Sequence, residues 1–153
     1  MSERLKVTPA AFVALIDDRQ QVLLQRRANT SYKSGWWDLL SGHFEPGETP
    51  PEAAIREAEE ESGVVVRPED LELFHIYSNE NNPKVPYLGF VFRARTWIGE
   101  PAIQETDGKS DAMGFFPLDD LPEPVTSQVI EALKNIGGSA VTFSYFAPSS
   151  VGS

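Results

Sequence analysis

The hydrophobic pattern opens with an apolar run from Thr8 to Ile16, which predicts a buried strand. Asp17-Asp18-Arg19-Gln20 supplies a polar turn, and Val22-Leu23-Leu24-Gln25 predicts the partner strand of a β-hairpin. Residues 28–36 read as a loop, Trp37 to Leu40 as a short strand, and a glycine-punctuated turn runs on through Gly47. The clearest element is a helix over about 50–62. Thr49 and Glu52 have the spacing of a capping box, Pro50 occupies the first helical position, and Gly63 suits a left-handed C-terminal cap. Leu71 to Tyr77 and Tyr87 to Trp97 predict two longer strands, joined as a hairpin with a wide connection through the polar Asn79–Pro83 segment. Residues 98–114 read as a second long loop and Phe115 to Leu118 as a short strand. Apolar positions 129, 130, 133 and 136 predict an amphipathic helix over Ser127–Ile136, closed by Gly137-Gly138. Val141, Phe143 and Tyr145 alternate on one face of the tail, which leaves an edge strand and a disordered end both open.

Composition narrows the function classes. A length of 153 residues with 41% hydrophobic and 24% charged side chains fits one globular domain, taken as residues 1–137, with 138–153 as a tail. The chain has no cysteine, which removes disulfides, thiolate metal sites and cysteine nucleophiles. With only His43 and His75 to offer imidazole, a metal site would have to be built from oxygen ligands, which favours Mg²⁺, Mn²⁺ or Ca²⁺. The formal net charge of −10 disfavours a long nucleic acid as partner. It leaves room for a small phosphorylated substrate only if a cation or local arginines offset the repulsion. There is no apolar leader and no stretch approaching a bilayer span, so no membrane partner and a cytoplasmic location are expected.

The stretch from Gly42 to Val64 carries the candidate chemistry. Glu52, Glu57, Glu59, Glu60 and Glu61 all fall within the predicted helix. At helical pitch Glu57, Glu60 and Glu61 share an arc of roughly 100°, beside an apolar stripe of Ala54, Ile55 and Ala58. Packing that stripe on a sheet would set the three carboxylates at the edge of a cleft. Like charges about 6 Å apart repel by about 3 kcal/mol per pair at an effective dielectric near 20, a cost that a bound dication removes. A solvated acidic helix face is the competing reading.

Gly42, Glu48, Arg56, Glu57, Ala58, Glu60, Glu61, Gly63 and Val64 fill the pattern G-x5-E-x7-R-E-U-x-E-E-x-G-U, where U is aliphatic. The chain therefore resembles the Nudix family. Ala58 is smaller than the usual aliphatic residue, and a chance match anywhere in the chain is on the order of 10⁻⁷. Val22 to Arg27, Gly35 to Leu39 and Phe116 to Pro122 also look like family segments, extending the resemblance over roughly residues 8–137. It implies an α/β (α+β) fold, an α/β/α sandwich around a mixed sheet. It also implies Mg²⁺-dependent hydrolysis of a nucleoside diphosphate linked to another moiety, with Mn²⁺ as an alternative ion.

In that resemblance Glu57, Glu60 and Glu61 hold the metal together with a backbone carbonyl at Gly42. Arg56 orients a carboxylate with Glu48 as its natural partner, and Gly42 and Gly47 shape the turn. Glu60, Glu61 and Arg56 are the expected catalytic residues of the helix. The proton-accepting carboxylate is in the helix or in the 98–114 loop, which offers Glu105, Asp107 and Asp111, with Asp111 favoured by its distance from Phe115-Phe116. Arg26 and Arg27 adjoin the loop entering the site, one expected to face phosphate and the other solvent, and Tyr87 is the candidate to stack on a base. His43 is most simply a polar loop residue.

A modified or unmodified nucleoside triphosphate is the leading substrate class, reached by the absence of other subfamily signatures. ADP-ribose, a dinucleotide or a nucleotide sugar is the alternative, and a non-catalytic nucleotide sensor is the second alternative. Monomer and homodimer are both open. Gly108-Lys109-Ser110 is no phosphate loop, because Ile103 stands where its first glycine belongs.

Overall fold

The computed structural model describes residues 3–30, 33–81, 84–104 and 108–148. The first strand, β1 (Thr8–Leu15), is buried on both faces: Ala10, Phe12 and Ala14 enter one core, and Ala11, Val13 and Leu15 enter a second on the other side. Such burial explains the uninterrupted apolar run. β4 (Leu40–His43) pairs with β1 antiparallel, and β6 (Tyr87–Ala94) pairs with it in parallel, so both edges of β1 are taken. Asp17 closes the following turn by accepting the Arg19 and Gln21 N–H groups, each at 2.9 Å. The hairpin expected beyond it does not form. β2 (Gln21–Arg27) keeps only the Ile16–Val22 bridge and joins a second sheet, because β1 has no free edge to offer.

The principal sheet runs β4-β1-β6-β5-β8, with β5 at Glu72–Asn79 and β8 at Thr142–Phe146. The smaller sheet runs β3-β2-β7, with β3 at Trp37–Asp38 and β7 at Ser110–Pro117. The single strand expected over 37–40 is therefore two strands in two sheets, with buried Leu39 as the crossover between them. The long loop expected over 98–114 ends at residue 109. Its last residues belong to β7, which takes the outer edge of β2. The polar start of β7, Ser110-Asp111, hid it from a search for apolar runs.

Helix α1 (Pro50–Ser62) covers the second core, which holds Ala53, Ala54, Ala58, Val64 and Val66. Helix α2 (Ser127–Leu133) covers the first with Val129, Ala132 and Leu133, and ends three residues earlier than the apolar spacing predicts. This mixed α+β arrangement, helices on either face of a mixed sheet, is the expected architecture. β5 and β6 form the antiparallel hairpin, running to Asn79 and ending at Ala94, where Trp97 leaves the sheet to stack on Phe115 at 6.0 Å. β8 docks in parallel on β5, and His75 bonds both the Thr142 hydroxyl (2.6 Å) and the Ser144 hydroxyl (2.9 Å) from beneath it. None of the described helices is long and apolar enough to cross a membrane.

One charge lies inside this framework. Asp38 on β3 is only 2% exposed, at 3.3 Å from the Arg27 guanidinium and 3.5 Å from the Thr126 hydroxyl, and it accepts the Leu39 N–H. Burial outweighs these partners and raises its pKa from 3.8 to about 6. A folded carboxyl that holds its proton more tightly than the unfolded one makes stability fall as pH rises from about 4 through about 6, then level off. Denaturant unfolding across that range is expected to show Asp38→Asn gaining stability relative to the native chain as pH rises, with a constant difference above about pH 7. A difference independent of pH overturns this assignment.

Candidate functional site

α1 is positioned by its ends and by its small residues. Thr49 accepts the Glu52 N–H at 3.3 Å while Glu52 accepts the Thr49 N–H at 2.9 Å, and Gly63 (φ 78°) closes the helix with its N–H on the Glu59 carbonyl. Ala53, Ala54 and Ala58 are fully buried where the helix meets β4 and β1. This contact carries two of the predicted glutamates onto the backbone of β4. Glu61 accepts the Ser41 N–H at 2.7 Å. The Glu57 carboxylate lies over Gly42 so closely that a Cβ there would overlap it. The glycine is needed for that approach, whereas Gly47 is needed for its positive φ (85°) in the turn before the helix.

Arg56 binds the group together. Its Nε and Nη2 grip Glu48 in a two-point contact (2.7 and 3.0 Å), and its Nη1 reaches both Glu57 (2.7 Å) and Glu60 (3.1 Å). Nη2 also donates to the His43 carbonyl at 2.9 Å. The guanidinium pKa is raised far above its ordinary value, first by the bond to Glu48, and Arg56 in turn holds the Glu48 carboxyl below the usual carboxylate range. Glu48 also accepts the Glu45 N–H, which fixes the turn through Gly47. The expected set of Gly42, Gly47, Glu48, Arg56, Glu57, Glu60, Glu61 and Gly63 thus forms one connected structure.

The other expected residues stand apart from it. Arg26 and Asp111 meet each other at 2.7 Å on the smaller sheet, both about half exposed, and Arg26 also lies over the Trp37 ring at 5.6 Å. Asp111 is therefore a strand residue bonded to an arginine. That bond lowers its pKa, which weakens it as a proton acceptor. Arg27 turns inward to Asp38. Tyr87 starts β6 beside the exposed ring of His43, with ring centres 5.6 Å apart, and His43 closes β4 instead of lying in a loop. Glu105 and Asp107 lie outside the described residues. The loop leading to them is anchored on the end of α1, where Ala102 N–H bonds the Ser62 carbonyl and Gln104 N–H the Glu61 carbonyl.

Sequence reasoning missed the Ser41 N–H and the buried Asp38. A lone carboxylate between Trp37 and Leu39 in an apolar run was a visible signal for the second. No such signal exists for a backbone donor.

Among the described residues no three carboxylate or imidazole groups converge as a ready-made cation cage. The donors gathered at β4 and α1 are nevertheless hard oxygens: three glutamates and the β4 backbone at Gly42. Such a set fits Mg²⁺ or Mn²⁺, ions that keep several water or substrate oxygens in their shell.

Comparison with known proteins agrees with this geometry. The chain is 34% identical over 122 residues to an ADP-ribose pyrophosphatase of Methanocaldococcus jannaschii, an alignment covering 78% of this chain and 69% of that one. It is 31% identical over 128 residues to the 8-oxo-dGDP phosphatase of Homo sapiens, covering 83% of this chain and 38% of that one. Against several curated relatives the chain spans only 20%, 38% and 40% of their length. A MutT NUDIX hydrolase from Burkholderia pseudomallei superposes with a TM-score of 0.78 at 28% identity, over 86% of this chain and 98% of that one. The NUDIX domain model matches residues 6–136, and the chain belongs to the NUDIX domain family.

Proposed function

We propose that the chain is a nucleotide pyrophosphohydrolase that cleaves a phosphoanhydride bond in a nucleoside diphosphate linked to another group, with Mg²⁺ or Mn²⁺ as cofactor. The observation that carries this reading is the placement of Glu57 and Glu61 against the β4 backbone with Glu60 beside them, all tied to Arg56. Glu57, Glu60, Glu61 and the Gly42 carbonyl would hold the ion. When bound, such an ion neutralises phosphate charge and lowers the pKa of a coordinated water.

The chain's own residues supply the rest. Arg56 orients Glu57 and Glu60, and Glu48 holds Arg56 in its two-point grip. Glu61, its Oε1 fixed by the Ser41 N–H, is held against β4 and would act on the reacting phosphate from there. Arg26, half exposed and steadied by Asp111, is placed to meet phosphate oxygens, with Asp111 acting as its holder. Tyr87 offers a ring for the base. The leading substrate class is a nucleoside triphosphate, plain or oxidised. A curated relative that is an ADP-ribose pyrophosphatase supports ADP-ribose as a second class. A binding protein without turnover is disfavoured because every carboxylate of the motif is present.

The test is product release from a panel of plain and oxidised nucleoside triphosphates, ADP-ribose, dinucleotides and nucleotide sugars, with Mg²⁺ and with excess chelator. Turnover of one class that vanishes on chelation is expected, and binding without turnover across the panel would return the chain to a sensor role. Glu61→Gln preserves the bond from Ser41 and is expected to lower kcat by about a hundredfold or more with an unchanged circular dichroism spectrum. Near-native turnover would remove Glu61 from the chemistry. Arg56→Lys keeps the charge but loses the two-point grip, so it is expected to lower Tm by several degrees and to raise the Mg²⁺ concentration for half-maximal rate. An unchanged metal requirement would reduce Arg56 to a surface ion pair.

A further inference from the structure

β8 is the last strand of the principal sheet, and among the described residues no strand lies beyond it. The Glu80 N–H bonds the Phe146 carbonyl at 2.8 Å, so the backbone groups of Phe146, and by alternation those of Ser144 and Thr142, face β5. Those of Phe143 and Tyr145 consequently face outward across the open edge. Their side chains lie on the α1 side of the sheet, in register with Ile76 and Ser78, and are 64% and 52% exposed. The usual protections of an edge strand are missing: Thr142–Phe146 contains no Lys, no Pro and no bulge.

We infer that this edge is a homodimer interface, in which β8 of one copy pairs antiparallel with β8 of a second about a two-fold axis at Ser144. The strand is self-complementary in that register. Phe143 of one copy stands opposite Tyr145 of the other, and both carry outward N–H and C=O groups, so each such pairing exchanges two backbone hydrogen bonds and sets two aromatic rings side by side. The same happens again across the axis, as an isologous contact requires.

Charge directs a second copy to this edge. The chain carries a net −10, so two copies repel over most of their surfaces, yet no charged side chain occurs from Asn135 to Ser153. The neutral edge is where approach costs least. Nearby, Glu80 holds the Tyr145 hydroxyl at 2.8 Å, and His75 latches Thr142 and Ser144 from the opposite face. The strand is therefore fixed in the paired conformation before association, which limits the ordering cost of binding.

Sedimentation velocity of the full chain over a concentration series up to hundreds of micromolar tests this. A dimer is expected for the native chain. The double variant F143K/Y145K places lysine opposite lysine across the axis and is expected to raise the dimer dissociation constant roughly tenfold or more, with hydrolytic activity per chain retained. F143K/Y145E places lysine opposite glutamate in this register alone and is expected to restore the dimer. Restored association supports both the surface and the register. A native chain that stays monomeric, a dimer that survives F143K/Y145K, or a failure of F143K/Y145E to recover association overturns the proposal.

Discussion

Carboxylates crowded on one helix face repel each other, and the guanidinium of Arg56 is what allows α1 to carry them. It contacts Glu48 before the helix, Glu57 and Glu60 on it, and the His43 carbonyl at the end of β4. A turn, a helix and a strand are thereby tied at one side chain that is about one-fifth exposed. Only a planar group with several fixed donors can satisfy these partners together. An ammonium of equal charge would leave part of the set unpaired. The positions of Glu57 and Glu60, and through them the chemistry, follow from this contact.

The second constraint is distance between α1 and β4. Small side chains at 53, 54 and 58 line the contact, and the absence of a side chain at Gly42 gives Glu57 its place. Ala58, the position that departs from the larger aliphatic residue of the motif, is fully buried in this contact and leaves no polar atom unsatisfied. The bond from the Ser41 N–H to Glu61 then fixes a second carboxylate with a backbone group, which no side-chain substitution at Ser41 short of proline can delete. Packing volume and electrostatics act here through the same few atoms.

What was legible in the sequence was local. The capping box, Pro50 and Gly63 mark the limits of α1 at the residues where the structure places them, because each marker works through bonds within four residues. The glutamate spacing was legible for the same reason, whereas the Arg56–Glu48 pairing, across eight residues, was legible through the family resemblance. Partition between two sheets was not. Val22 to Gln25 reads as the partner of the preceding strand by proximity, but β4 and β6 arrive from distant sequence and occupy both edges of β1. Asp111 misled in a related way. Its polar neighbourhood reads as loop, while its place in β7, at the irregularity where β7 meets β2, and its bond to Arg26 depend on a residue 85 positions away. Asp38 gave a signal as a lone carboxylate in an apolar run, but its burial against Arg27 and Thr126 is a property of the assembled layers.

These layers also sort the charge. Under the proposed function a chain with a net −10 has to admit an anionic substrate, and the glutamates of α1 are where a cation would offset that charge. On the smaller sheet the two adjacent arginines are each paired with an aspartate, Arg26 with exposed Asp111 and Arg27 with buried Asp38. The two pairs are not equivalent. Arg26 can exchange an exposed partner for a phosphate at little cost, because solvent already screens the bond. Arg27 would have to leave a carboxylate inside the core unpaired, which is far more costly. Adjacent arginines of identical chemistry are therefore distinguished by the burial of their partners: under the proposed function Arg26 is the one that can meet the substrate, while Arg27 belongs to the fold.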